Sequence, residues 1–124
     1  MPEPVRPTWT EPVIGPSFQL EDLDATAHRH LVVRGEIDIK TAPDLEEALA
    51  GDAPDLVLLE MSEVSFIDST GLRVLATTRE RLEEQGRTLV VCTPEDSAVL
   101  RTMRLAGLAG DFRVIGRPDE LDGQ

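Results

Sequence analysis

Two short stretches, DLVLLEM at residues 55–61 and TLVVC at residues 88–92, are apolar at nearly every position. A strand with one wet face alternates apolar and polar residues, so runs this continuous predict strands buried on both sides. A segment with helical spacing follows each. After Asp68 the pattern gives a helix to about Gln85, ended by Gly86. Its inward positions are Leu72, Leu75, Ala76 and Leu82, with Arg79, Glu80, Arg81, Glu83 and Glu84 in solvent. TPEDSAVLRTMRLAG opens on a hydroxyl, a proline and two acids, a start signal with Thr93 as cap. Val99, Met103 and Ala106 then fall at helical spacing before Gly107.

Upstream, TAPDLEEALAGD predicts a short helix. Thr41 is its candidate cap, Pro43 and Asp44 suit the first turn, Leu45, Ala48 and Leu49 share a face, and Gly51 is the stop. SFQLED and HLVVRGEI, around a turn-like LDAT, read as an opening hairpin. FRVI reads as a last short strand, and RPDELDGQ leaves at most one more helical turn. Strands alternating with helices imply right-handed crossovers. The fold class is therefore α/β: one domain over residues 17–124, with a mixed, mostly parallel sheet of four to five strands and helices packed on it. Residues 1–16 carry five of the nine prolines and no hydrophobic period, which predicts a flexible, extended arm with Trp9 untethered.

Composition excludes several functions. A formal charge of −12 repels phosphate backbones and anionic lipid, against nucleic-acid or membrane partners. Cys92, the one cysteine, rules out an internal disulfide and fits a reducing compartment. With no signal-peptide pattern and no apolar run near the ~20 residues of a membrane span, a cytoplasmic protein is expected. The phosphate loop and the G-x-G-x-x-G fingerprint are missing. So is the G-x-S-x-G elbow, since Phe66, Ile67 and Asp68 precede Ser69. The two histidines, His28 and His30, sit early in the hairpin, away from Ser69, which leaves a serine nucleophile without a base. They face the same way on a strand but lack a third ligand, so they read as exposed polar residues. Cys92 reads as a buried thiol, and Arg101 and Arg104 as a solvated face. No enzyme activity, cofactor or metal is expected.

What remains is SFIDSTGLRVL, residues 65–75. Asp68, Ser69, Thr70 and Gly71 stand between the carboxyl end of a strand and a helix start, the edge where α/β sheets gather functional groups. A helix requires one cap, worth about 1 kcal/mol. Spacing leaves two readings open: an ordinary cap with a glycine that admits the helix close to the sheet, or a hydroxyl with another task. Gly35, Glu36 and Asp38 end the strand HLVVRGEID at the same predicted edge. They read either as the start of a loop or as a partner-facing rim.

RGEIDIKTAPDLEEAL, VLLEMSEVSFIDSTGLRVL and GRTLVVCTPEDSAVLRTMRLAGL, in that order, resemble the successive signatures of a STAS domain. The closest resemblance is to the bacterial anti-sigma factor antagonists, over about Ser17 to Ile115, with D-S-[ST]-G-L the most specific segment. The resemblance implies that Ser69, not Thr70, is phosphorylated by a partner anti-sigma factor, a serine kinase with a histidine-kinase-like ATPase fold. The unmodified antagonist would bind that kinase and free a sigma factor. The phosphorylated form would let go, and a PP2C-type phosphatase would reset it. Glu36, Asp38, Asp68, Ser69, Thr70, Gly71 and Arg73 are the implied partner-binding residues. Arg73 stands where relatives often carry a small residue, the last helix of relatives is nearly absent, and the proline-rich arm has no counterpart. The alternative is a non-switching STAS subunit of a stable signalling or lipid-transport complex, with Ser69 a cap and docking contact. Nucleotide binding by the domain itself is a third, minor possibility.

Overall fold

A computed structural model describes residues 18–23, 28–50 and 55–123. The proline-rich arm, the turn after Leu23 and the Gly51 stop lie outside them. The elements run β1 (Phe18–Leu23), β2 (Arg29–Ile37), α1 (Ala42–Leu49), β3 (Leu56–Ile67), α2 (Ser69–Glu84), β4 (Thr88–Cys92), α3 (Ala98–Leu105) and β5 (Arg113–Ile115). Short 3₁₀ turns lie at Ala109–Asp111 and Pro118–Gly123.

The five strands lie side by side in chain order, β1 antiparallel to β2 and the rest parallel. Right-handed crossovers between successive neighbours all return on the same side, so the three helices share one face of the sheet. There Leu45, Leu75, Leu82 and Met103 pack with Leu31, Leu59, Met61 and Val91 in one cluster. On the other face Leu58, Val90, Cys92 and Ile115 are buried, with Leu121 of the C-terminal 3₁₀ turn against them. The continuous apolar runs thus mark strands buried on both sides, with helices on one side and a single turn on the other. β3 extends past its apolar run because Val64 and Ile67 still reach the helix-side core.

Two predicted caps are corrected. Thr41 accepts no capping bond from α1. Its hydroxyl instead donates to the Glu36 carbonyl at 2.8 Å and accepts from the Asp38 amide at 2.9 Å, closing the loop that precedes the helix. Thr93 is buried, and α3 is capped by Ser97, whose Oγ accepts from Leu100 N at 3.1 Å. Thr93 follows β4 directly and is buried there, whereas Thr41, four residues past β2, is held by the loop that leaves that strand. α3 stops at Gly107 as expected, where Leu108 N donates to Met103 O at 2.8 Å around φ 75°, but Ala106, expected to face inward, is the exposed C-cap.

Arg79 is not the solvated residue its charge implied. Its guanidinium lies 5.4 Å from the centre of the Phe112 ring and pairs with Glu83 at 3.1 Å, so the apolar stripe of α2 continues across its stem. His30 likewise is half-buried, its Nε2 2.8 Å from Glu60 Oε1 across the β2–β3 pair, although its ring does share a side with His28. Cys92 is buried as expected. Desolvation first, then the charge of Glu60, pushes its thiol up to about 11, so it stays neutral at physiological pH.

Candidate functional site

α2 starts at the carboxyl edge of β3, and the residue that caps it is the acid. Asp68 is extended (φ −110°, ψ −171°), and its Oδ1 accepts from Thr70 N at 2.9 Å and Gly71 N at 3.2 Å. One carboxylate oxygen therefore satisfies two of the free amides at the helix start. Ser69 is left as the first helical residue with nothing to cap. Its side chain is exposed, and the hydroxyl makes no hydrogen bond to any described residue. Thr70 is half-buried beside it.

Gly71, expected among the partner-facing residues, is instead buried against the sheet. A Cβ there would stand 2.7 Å from both Ile37 Cγ2 and Ile67 Cγ1. Its part in the site is to let the first turn of α2 lie on the ends of β2 and β3. The Asp68 amide fastens the same corner by donating to Ile37 O at 3.2 Å.

The β2–β3 pairing carries two register irregularities, between Val32 and Arg34 and between Gly35 and Glu36. Gly35 sits at φ 96°, a conformation that glycine adopts without cost. Bulges of this kind re-aim side chains at a sheet rim. Beyond the second one Glu36 stands opposite Phe66 and Ile37 opposite Ile67, which brings Glu36 and Asp38 to the edge that carries Ser69. The shared edge is as the sequence implied, but Asp38 is largely occupied by its own loop. Its Oδ1 accepts from Lys40 N at 3.0 Å and Thr41 N at 3.2 Å. Desolvation raises this carboxyl, but the hydrogen bonds from Thr41 and Lys40 and the Lys40 charge together outweigh it and hold it below the usual carboxylate range. A carboxylate depressed in the folded state adds stability above its unfolded pKa and loses it as the pH falls through the folded value. Asp38→Asn is therefore expected to lower the urea midpoint at neutral pH, with the gap from the unchanged protein closing below the normal carboxylate range. A constant gap down to acid would contradict this role.

Sequence reasoning missed two residues at this edge. Ile39 is 73% exposed and Phe66 45% exposed, large apolar side chains left in solvent. Ile39 carried a signal, an apolar residue between Asp38 and Lys40, but Phe66 is followed by apolar Ile67, and with an unseen bulge in β3 the alternation of faces cannot be carried through to it. Arg73 is exposed one turn after Ser69. It borders a groove of about 260 Å³ between α1 and α2, lined also by Pro43, Glu46, Thr70 and Thr77. Among the described residues no group of three His, Cys, Asp or Glu is placed to hold a metal, and no helix is long and apolar enough to cross a membrane.

The sequence model of the STAS domain matches residues 22–120. The chain is 37% identical over 87 residues to the anti-sigma-F factor antagonist RsfB of Mycobacterium tuberculosis, covering 68% of this chain and 70% of that protein. It is 32% identical over 110 residues to the anti-sigma-B factor antagonist of Listeria monocytogenes, covering 86% and 95%. The crystal structure of an anti-sigma factor antagonist from Mycobacterium paratuberculosis superposes with a TM-score of 0.75 at 32% identity, over 84% of this chain and 90% of that one. With the five-stranded sheet, the three helices and the Asp-Ser corner all in place, the chain belongs to the STAS domain family, and its relatives there are bacterial anti-sigma factor antagonists.

Proposed function

We propose that the protein is an anti-sigma factor antagonist that works by partner switching, with Ser69 as the switch. Unmodified, it binds an anti-sigma factor that is a serine kinase, and so frees a sigma factor. The observation that carries this reading is the division of labour at the start of α2: Asp68 takes both capping amides, and the Ser69 hydroxyl stands exposed with no bond to the rest of the described protein. A serine needed as the cap would have its oxygen committed to the backbone. This one is free to enter another protein's active site, and the exposed Phe66 and Ile39 at the same edge supply apolar contact for docking.

In the transfer, Ser69 Oγ attacks the γ-phosphorus of ATP held by the partner. The Oγ–P bond forms, the bond to the oxygen that leaves with ADP breaks, and the hydroxyl proton passes to a base of the kinase. A PP2C-type phosphatase reverses the modification with water, which displaces Ser69 Oγ and releases inorganic phosphate. The antagonist contributes position and no catalytic group.

Incubation with the cognate anti-sigma factor and ATP should add one phosphate. Ser69→Ala should abolish the mass gain, whereas Thr70→Ala should leave it. A phosphate that persists in Ser69→Ala contradicts the assignment. Stable co-purification with one partner, indifferent to ATP, supports the non-switching scaffold instead.

A further inference from the structure

Arg73 is a cation with no assigned partner in a strongly acidic chain. On α2 the other arginines are engaged: Arg79 pairs with Glu83 at 3.1 Å, and Arg81 donates to the Leu49 carbonyl. The Arg73 guanidinium makes no ion pair or hydrogen bond to any described residue, although Glu46 lines the same groove from α1. Ser69 and Arg73 are four residues apart on one regular helix. That separation stacks two side chains on the same face, with Cβ atoms about 5–6 Å apart. An anion on the N-terminal member and a cation on the C-terminal member is the favourable orientation.

We propose that Arg73 is the internal counter-ion of a phosphate on Ser69, folding the modified side chain back along the first turn of α2. The proposal rests on the phosphorylation reading above and names what receives the charge. A guanidinium takes two phosphate oxygens in one planar contact, which an ammonium cannot match. Every other charged group near this corner bears on the same phosphate. Asp68 beneath it, Glu36 and Asp38 at the end of β2, and Glu46 across the groove oppose the dianion. Lys40 in the loop favours it. Without Arg73 the phosphate would face four acids and a single cation, Lys40; the length of Arg73 lets it reach over the first turn while Asp68 keeps its two amides.

The test uses the full-length chain with phosphoserine inserted at position 69 during translation, so that no kinase is required. A ³¹P NMR pH titration reads the second ionisation of the phosphate. With Arg73 present it should lie roughly 0.3–0.7 pH units lower than in Arg73→Gln, the size of a helix-surface charge pair. Arg73→Lys should recover part of that shift. The comparison between variants cancels the acids, which are common to both. Identical titrations in the unchanged protein and Arg73→Gln would overturn the proposal. Because the phosphate is installed during translation, a shift seen with a chain that its kinase fails to modify would sink the switch and leave the counter-ion standing. A modified chain with no shift would do the reverse.

Discussion

Phosphorylated at Ser69, the protein is expected to bind its anti-sigma partner roughly 10²- to 10⁴-fold more weakly than the unmodified form. The free protein tolerates the added charge of about −1.5 to −2, because it arrives at a helix N-terminus. The cost falls on the complex. There a small neutral hydroxyl, fitted into another protein's active site, becomes a bulky dianion near Asp68 and Glu36, and docking strips away the water that screened it. A like-charge placement of that kind costs several kcal/mol, and each ~1.4 kcal/mol is tenfold in affinity. Calorimetric titration of the partner with the two forms measures the ratio. The thermal midpoint of the phosphorylated protein alone should not fall, which separates a lost interface from a damaged fold. Affinities within a factor of about three would remove electrostatics from the account.

Gly71→Val should be the most destabilising change at the site. The first side-chain carbon would meet Ile37 and Ile67 at 2.7 Å, and both isoleucines are buried in the cluster beneath all three helices. Both are closed off from solvent, so the strain falls on the packing of α2 against the sheet. Overpacking of this kind costs typically about 1–3 kcal/mol for added methylenes. Gly71→Ala recovers up to ~1 kcal/mol through helix propensity, so its net effect should be modest. Valine adds two more carbons and a poorer propensity, and a loss of about 3 kcal/mol or more is expected, lowering Tm by roughly 10 °C or more. Chemical denaturation of the two variants gives both values. A valine variant as stable as the unchanged protein would show that the helix and sheet are not tightly joined at Gly71.

The two largest features of the fold were legible in the sequence because each rests on a long, redundant pattern. Continuous apolar runs specify buried parallel strands whatever covers them, and the alternation with helical periods specifies the crossovers. The Asp-Ser corner was legible too, as a strand end meeting a helix start. What the sequence did not yield depends on single interactions between distant residues. Whether Thr93 or Ser97 caps α3 turns on where β4 stops. His30 reads as surface until Glu60 is placed beside it, and Arg79 reads as solvated until Phe112 lies beneath it. Bulges in the β2–β3 pair leave no local trace beyond Gly35, yet they decide that Val64 is buried and Phe66 is exposed. The most useful correction concerns roles at the site. Spacing did not say which residue of this corner caps the helix; the geometry gives the cap to Asp68, while Gly71 serves the packing of α2 on the sheet.

The most direct measurement of the central idea is the intact mass of the protein purified from its native cell, followed by mapping of any modified peptide. A fraction heavier by one phosphate is the expected result, with the group on Ser69 and Thr70 unmodified, and that fraction should fall when the cell releases the sigma factor. A phosphate carried elsewhere, or a chain that remains unmodified while the anti-sigma factor is active and holds its sigma factor, would contradict it.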